Sequence, residues 1–151
     1  MNILFVCTDN FTRSVIAEFC MRDYLKRKSL NTINVASAGI RADSDISIYS
    51  DIHFIIMKGM GIDTSGFKRT MFDEDSFKTS DIIIGMSNLH VDYIKEKFGR
   101  EIVLFNELVD GSQVSVQVGA PDHEEFQERM EELVDYINSS IPRIIEKIEE
   151  Q

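Results

Sequence analysis

Short apolar runs alternate with amphipathic stretches along this chain. Residues 2–6 form a continuous apolar run after one polar residue, the pattern of a strand covered on both faces. Residues 14–28 carry Ile16, Ala17, Phe19, Cys20, Tyr24 and Leu25 near helical spacing, which predicts a helix. A second short strand is expected over 33–36, then a helix over 48–60 closed by Gly61. Residues 81–85 (DIIIG) read as a buried strand, 91–98 as a helix ending at Gly99, and 102–105 as a fourth strand. The last helix gives the clearest signal: Phe126, Met130, Leu133, Val134, Ile137, Ile141, Ile144, Ile145 and Ile148 step by threes and fours. Glu124 and Glu125 stand at its start, where the helix dipole favours negative charge. Pro142 is expected to kink or split it.

This alternation predicts an α/β fold of three α/β/α layers, a parallel sheet of about four strands with helices on both faces. No repeat, low-complexity tract or linker interrupts it, so residues 1–151 read as one domain. A hydrophobic share of 43% with 28% charged residues fits a globular chain that builds its own core. The net charge of −10 argues against nucleic acid, which needs a basic patch, and against anionic membrane surfaces. No apolar run reaches the roughly 18 residues of a membrane span, and the first residues lack a signal-peptide pattern, so a cytoplasmic location is expected. Cys7 and Cys20 are the only cysteines. With Cys20 about two turns into the predicted helix, a disulfide between them is not expected. His53, His90 and His123 are widely spaced with no paired cysteines, so no metal site is expected. Asp73-Glu74-Asp75 lacks calcium-loop spacing and reads as solvated surface.

Parallel sheets bind ligands beyond the carboxyl ends of their strands, which points to the turn after the first strand. It reads Cys7-Thr8-Asp9-Asn10-Phe11-Thr12-Arg13-Ser14. A five-residue loop between strand and helix can wrap its backbone N–H groups around a tetrahedral anion, and the helix start adds further donors. Arg13 can hold two oxygens of that anion through its planar fork. Cys7 at the floor of this cradle would be favoured as thiolate, a nucleophile aimed at a bound phosphate. Taken singly, such a cysteine is more often a small buried hydrophobe, and such an arginine is usually a solvated side chain. The strand directly before and the helix directly after favour the phosphate-binding reading.

The loop resembles that of the low-molecular-weight protein tyrosine phosphatase family, in which a first strand runs into Cys-x-x-Asn-x-x-Arg-Ser; Cys7, Asn10, Arg13 and Ser14 match. Ala17-Glu18, Ser37-Ala38-Gly39, Gly61-Ile62-Asp63-Thr64-Ser65-Gly66, Asp81-Ile82-Ile83-Ile84-Gly85-Met86 and Ala120-Pro121-Asp122 are similar to further family segments, in order along nearly the whole chain. The resemblance implies that Cys7 is the nucleophile, Arg13 the phosphate clamp and Asp122 the general acid. It implies that Thr8, Asp9, Asn10, Phe11, Thr12, Arg13 and Ser14 line the phosphate site, with Asn10 bracing the loop and Ser14 donating to the thiolate. The implied substrate is a phosphotyrosine protein or a small aryl phosphate, and no metal or cofactor is implied. From the residues alone, Asp122 before a helix reads first as a simple N-cap, and only the resemblance gives it the catalytic role.

The chain departs from the family pattern at Asp9, where glycine is usual, and at Thr12, where a second loop cysteine is frequent. Asp9 brings a carboxylate into an anion loop. It either pairs with a base, with Arg41, Lys68 and Arg69 as candidates, or faces solvent as a turn residue. Val15 stands where proline often starts the helix. After Asp122 comes His123-Glu124-Glu125, without the aromatics that usually wall the phenyl slot. Phe11 and Tyr49 are the candidates for such a wall, or else core filling; Phe126 reads as core. Two alternatives to hydrolysis remain open: a weakened phosphate- or phosphopeptide-binding module, and an arsenate reductase, which would need a resolving cysteine.

Overall fold

A computed structural model describes residues 1–117 and 125–150. In chain order it contains β1 (Asn2–Cys7), α1 (Arg13–Arg27), β2 (Asn34–Gly39), α2 (Ile52–Gly59), α3 (Asp75–Thr79), β3 (Ile82–Gly85), α4 (Asn88–Phe98), β4 (Val103–Leu104), α5 (Phe105–Asp110) and α6 (Phe126–Glu149). The four strands run parallel in the order β2-β1-β3-β4. The first apolar run therefore lies inside the sheet, with a neighbour on each side. Cys7 pairs with Gly39 and Val6 with Gly85, which brings the ends of β1, β2 and β3 level.

Side chains alternate across a strand, so β1 feeds two cores. Ile3, Phe5 and Cys7 pack with α1, α2, α5 and α6 on one face. Leu4 and Val6 pack with Ile94, Phe72 and the half-buried Phe77 and Phe98 of α3 and α4 on the other. These are the expected three layers. The buried side of α6 runs from Met130 to Ile148 and lies against α1, α2 and α5. Among the described residues, no helix is long and apolar enough to cross a membrane.

The structure corrects the sequence reading at several ends. The helix expected over 48–60 begins only at Ile52; Ser50 Oγ accepts the Ile52 N–H at 3.2 Å, and Tyr49 closes a turn onto Ile46. The helix expected from 91 begins at Asn88, because Ser87 and His90 form a capping box there. The fourth strand is two residues long. Phe105 leaves it to start α5, which the sequence reading lacked, as it lacked α3.

Pro142 does not split α6. Proline removes one backbone hydrogen bond, at a cost of about 3 kcal/mol. Here it lies on the exposed side of the helix, while Ile137, Ile141, Ile144, Ile145 and Ile148 keep one continuous buried stripe past it. That burial, at roughly 1.5–3 kcal/mol for each large side chain, outweighs the lost bond.

Candidate functional site

Buried polar side chains gather at the carboxyl end of the sheet: Asn10, Ser14, Ser37, His53, Ser87 and His90 are all enclosed around the loop after β1. Gly39 makes the loop's approach possible. A Cβ there would stand 2.6 Å from the Asn10 nitrogen and 2.7 Å from the Thr8 oxygen. The chain beyond β2 then ties down the loop's start: Ile40 N–H donates to Cys7 O at 3.1 Å and Arg41 N–H to Thr8 O at 2.7 Å.

Asn10 has φ 53°, a left-handed conformation that asparagine tolerates better than most residues. Its buried amide is fully engaged. Nδ2 donates to Ser14 Oγ at 3.1 Å and to Ser37 Oγ at 2.8 Å, and Oδ1 accepts the Thr70 N–H at 2.7 Å. Ser37 passes its own hydrogen to Glu18 Oε1 at 2.6 Å. Because Ser14 Oγ accepts from Asn10, its hydrogen is available to Cys7 Sγ, 2.9 Å away.

Thr12 caps α1 without a side-chain hydrogen bond, and the first turn holds no acidic residue. The helix thus presents its amino-terminal donors to the loop. Arg13, half-buried beside them, donates from Nη1 to Val116 O at 2.9 Å. Burial lowers the Arg13 guanidinium from its ordinary value, opposed by the charges of Cys7 and Asp9.

Asp9 is not a free turn residue. Its carboxylate accepts from Ser44 Oγ at 2.6 Å and meets the half-buried Tyr49, whose phenol is pushed up by burial and then by Asp9. Of the three candidate bases, Arg69 meets this residue, through the carbonyl rather than the carboxylate: Nε donates to Asp9 O at 3.0 Å, and Nη1 to Ser44 O at 2.8 Å. Phe11 is core. Its ring lies against His53, Phe54, Phe67 and Tyr49, with centroids 5.1, 5.7, 6.0 and 6.4 Å away. Phe126 is likewise half-buried against the core, as expected.

Two histidines that the sequence reading left aside reach the loop. His53, on α2, lies 2.7 Å from Phe11 O through Nε2, and its buried Nδ1 has no partner. Burial pushes its pKa down to about 4. His90 reaches Thr8 Oγ1 at 2.9 Å, and burial followed by the Arg13 charge pushes its pKa down to about 3. The sequence held no signal for His90: it follows β3, and only the sheet order brings the end of β3 beside β1. Cys20 is buried and free like Cys7, and burial followed by the Asp23 charge pushes its thiol up to about 12. Among the described residues, no group of three or more His, Cys, Asp or Glu is placed to hold a metal. Asp122 and His123 lie outside the described residues.

The chain matches the family model for low molecular weight phosphotyrosine protein phosphatase over residues 2–151. It is 29% identical over 120 residues to a protein-arginine-phosphatase of Bacillus subtilis, which is 77% of each chain. The low molecular weight protein tyrosine phosphatase of T. tengcongensis is 26% identical, with a TM-score of 0.79 over 97% of this chain and 99% of that one. A cysteine-to-serine mutant of the YwlE arginine phosphatase, with a phosphorylated active-site serine, shares the fold at a TM-score of 0.83 and 23% identity, over 99% of this chain and 96% of that one. A match along nearly the whole length means that this chain belongs to the low molecular weight phosphotyrosine protein phosphatase family.

Proposed function

We propose that this phosphatase hydrolyses phosphotyrosine in proteins and small aryl phosphates through a cysteinyl-phosphate on Cys7. The observation that carries the reading is the Cys7–Ser14 contact of 2.9 Å, held by a saturated Asn10 at the floor of a loop between strand and helix. Cys7 Sγ attacks phosphorus, and the phenolic oxygen leaves with a proton from Asp122. Asp122, now a base, takes a proton from water, whose oxygen attacks phosphorus. The Cys7 sulfur leaves as thiolate and accepts the Ser14 hydrogen bond. Arg13, the amides of Thr8 to Ser14 and the start of α1 offset the negative charge on the equatorial oxygens. The role of Asp122 rests on its Ala-Pro-Asp segment and the family pattern.

A second reading is favoured by one observation beyond the named relative. The Asp9 carboxylate, within the phosphate loop, accepts from Ser44 Oγ and faces Tyr49, where it suits a cationic guanidinium leaving group. Arsenate reduction lacks support, since Cys20 is a buried thiol held protonated. A weakened binding module keeps its motive, because Ser44 gives the Asp9 carboxylate a neutral hydrogen bond and no compensating charge.

Turnover of an aryl phosphate by the wild type and by Cys7→Ser tests the reaction, with an expected loss of about 10⁴-fold or more. Wild-type turnover no faster than that of the variant overturns it. Matched phosphotyrosine and phosphoarginine peptides then decide the substrate: faster release from phosphoarginine overturns the tyrosine assignment alone.

A further inference from the structure

His90 takes no part in the reaction above, yet it is fully buried and both ring nitrogens are engaged. The Ser87 backbone N–H can only donate, so His90 Nδ1, 3.1 Å away, is the unprotonated nitrogen. Burial and the nearby Arg13 charge keep the ring neutral, with a pKa of about 3. A neutral ring with a bare Nδ1 carries its hydrogen on Nε2. Nε2 therefore donates to Thr8 Oγ1 at 2.9 Å. The Thr8 oxygen is the acceptor in this bond, so its own hydrogen is left for a different partner. Thr8 directly follows Cys7 in the anion loop, and β3 lies beside β1, so the first turn of α4 delivers the ring to that loop. The helix cap accounts for Nδ1 alone. Nε2 reaches 82 residues back along the chain, a contact that α4 does not need for its own start.

We propose that His90 is a positioning residue that holds Thr8 through Nε2–H and so turns the Thr8 hydroxyl into a side-chain donor to an oxygen of the bound phosphoryl group. This rests on the phosphatase reading of the loop. The tautomer does the work: a histidine with its hydrogen on Nδ1 would instead draw the Thr8 hydrogen to itself.

The test is orthophosphate affinity by titration calorimetry, with kcat and KM on an aryl phosphate and the melting temperature, for Thr8→Val, Thr8→Ser, His90→Asn, His90→Gln and the double variant Thr8→Val/His90→Asn. The Asn side-chain oxygen replaces Nδ1 at the helix cap but stops short of Thr8. The Gln amide nitrogen takes the place of Nε2 but offers Ser87 no acceptor. Thr8→Val is expected to weaken orthophosphate binding about tenfold, the scale of one hydrogen bond to a charged acceptor. His90→Asn is expected to weaken it about fivefold, with the melting temperature kept, whereas His90→Gln and Thr8→Ser stay within about twofold of wild type. The double variant should bind no more weakly than Thr8→Val. The proposal is overturned if His90→Gln loses as much phosphate affinity as His90→Asn, or if the two losses in the double variant multiply. Where a His90 variant fails to fold, Thr8→Val against Thr8→Ser decides, and equal affinities overturn it. The expected phosphate pattern without aryl-phosphate turnover supports the pairing and overturns the hydrolytic reading instead.

Discussion

Gly39 has no side chain, and the space a Cβ would fill is already occupied by the backbone of Thr8 and Asn10. Gly39→Ala forces the loop away from β2. The expected outcome is a stability loss of about 1–3 kcal/mol, the usual range for overpacking, together with lower aryl-phosphate turnover. Urea unfolding and kinetics check both, and an alanine variant with unchanged stability would contradict the close approach. Residue by residue, the geometry of the candidate loop was legible where the loop is contiguous. Cys7, Asn10, Arg13 and Ser14 fall within eight positions, and a strand before them with a helix after them fixes their geometry. The partners of these residues were not legible. Thr70 meets Asn10 and His90 meets Thr8 across 60 and 82 residues, and although Arg69 was one of three bases named for Asp9, its grip on the carbonyl rather than the carboxylate was not foreseen. A lone histidine or threonine carries no mark of a contact that only the sheet order creates.

Among the elements, α6 carries the strongest sequence signal. Its apolar stripe was evident, and of the kink or split expected at Pro142 the split does not occur. Pro142 is exposed and the stripe runs past it, so tertiary burial overrides the local preference. Pro142→Ala restores an N–H able to bond to the carbonyl of Asn138. It is expected to raise stability by about 1–3 kcal/mol, less what the freer unfolded chain takes back. A higher thermal midpoint is the expected reading, and a lower one would show that proline is favoured where it stands. The strand β4 and the helices α3 and α5 were missed or misjudged for a different reason. Two, five and six residues are fewer than the window in which periodicity can be told from chance.

For the molecule as a whole, His53 and His90 set a pH dependence. Both titrate near 6.5 in an unfolded chain, but their pKa values in the fold are about 4 and about 3. Between those limits the unfolded state binds more protons, so stability rises with pH and is lost as pH falls below 6.5. The expected loss between pH 7 and pH 5 is roughly 2 kcal/mol per histidine. Urea midpoints at the two pH values measure it, and His53→Gln should remove that residue's share; a flat profile would contradict the burial of both rings. The Arg13 tie has a further consequence. Its acceptor, the Val116 carbonyl, lies 103 residues downstream. A growing polypeptide displays the whole Cys-x5-Arg signature long before it owns a receptor. Orthophosphate should accordingly raise the thermal midpoint of the folded protein yet find no purchase on a chain truncated before Val116.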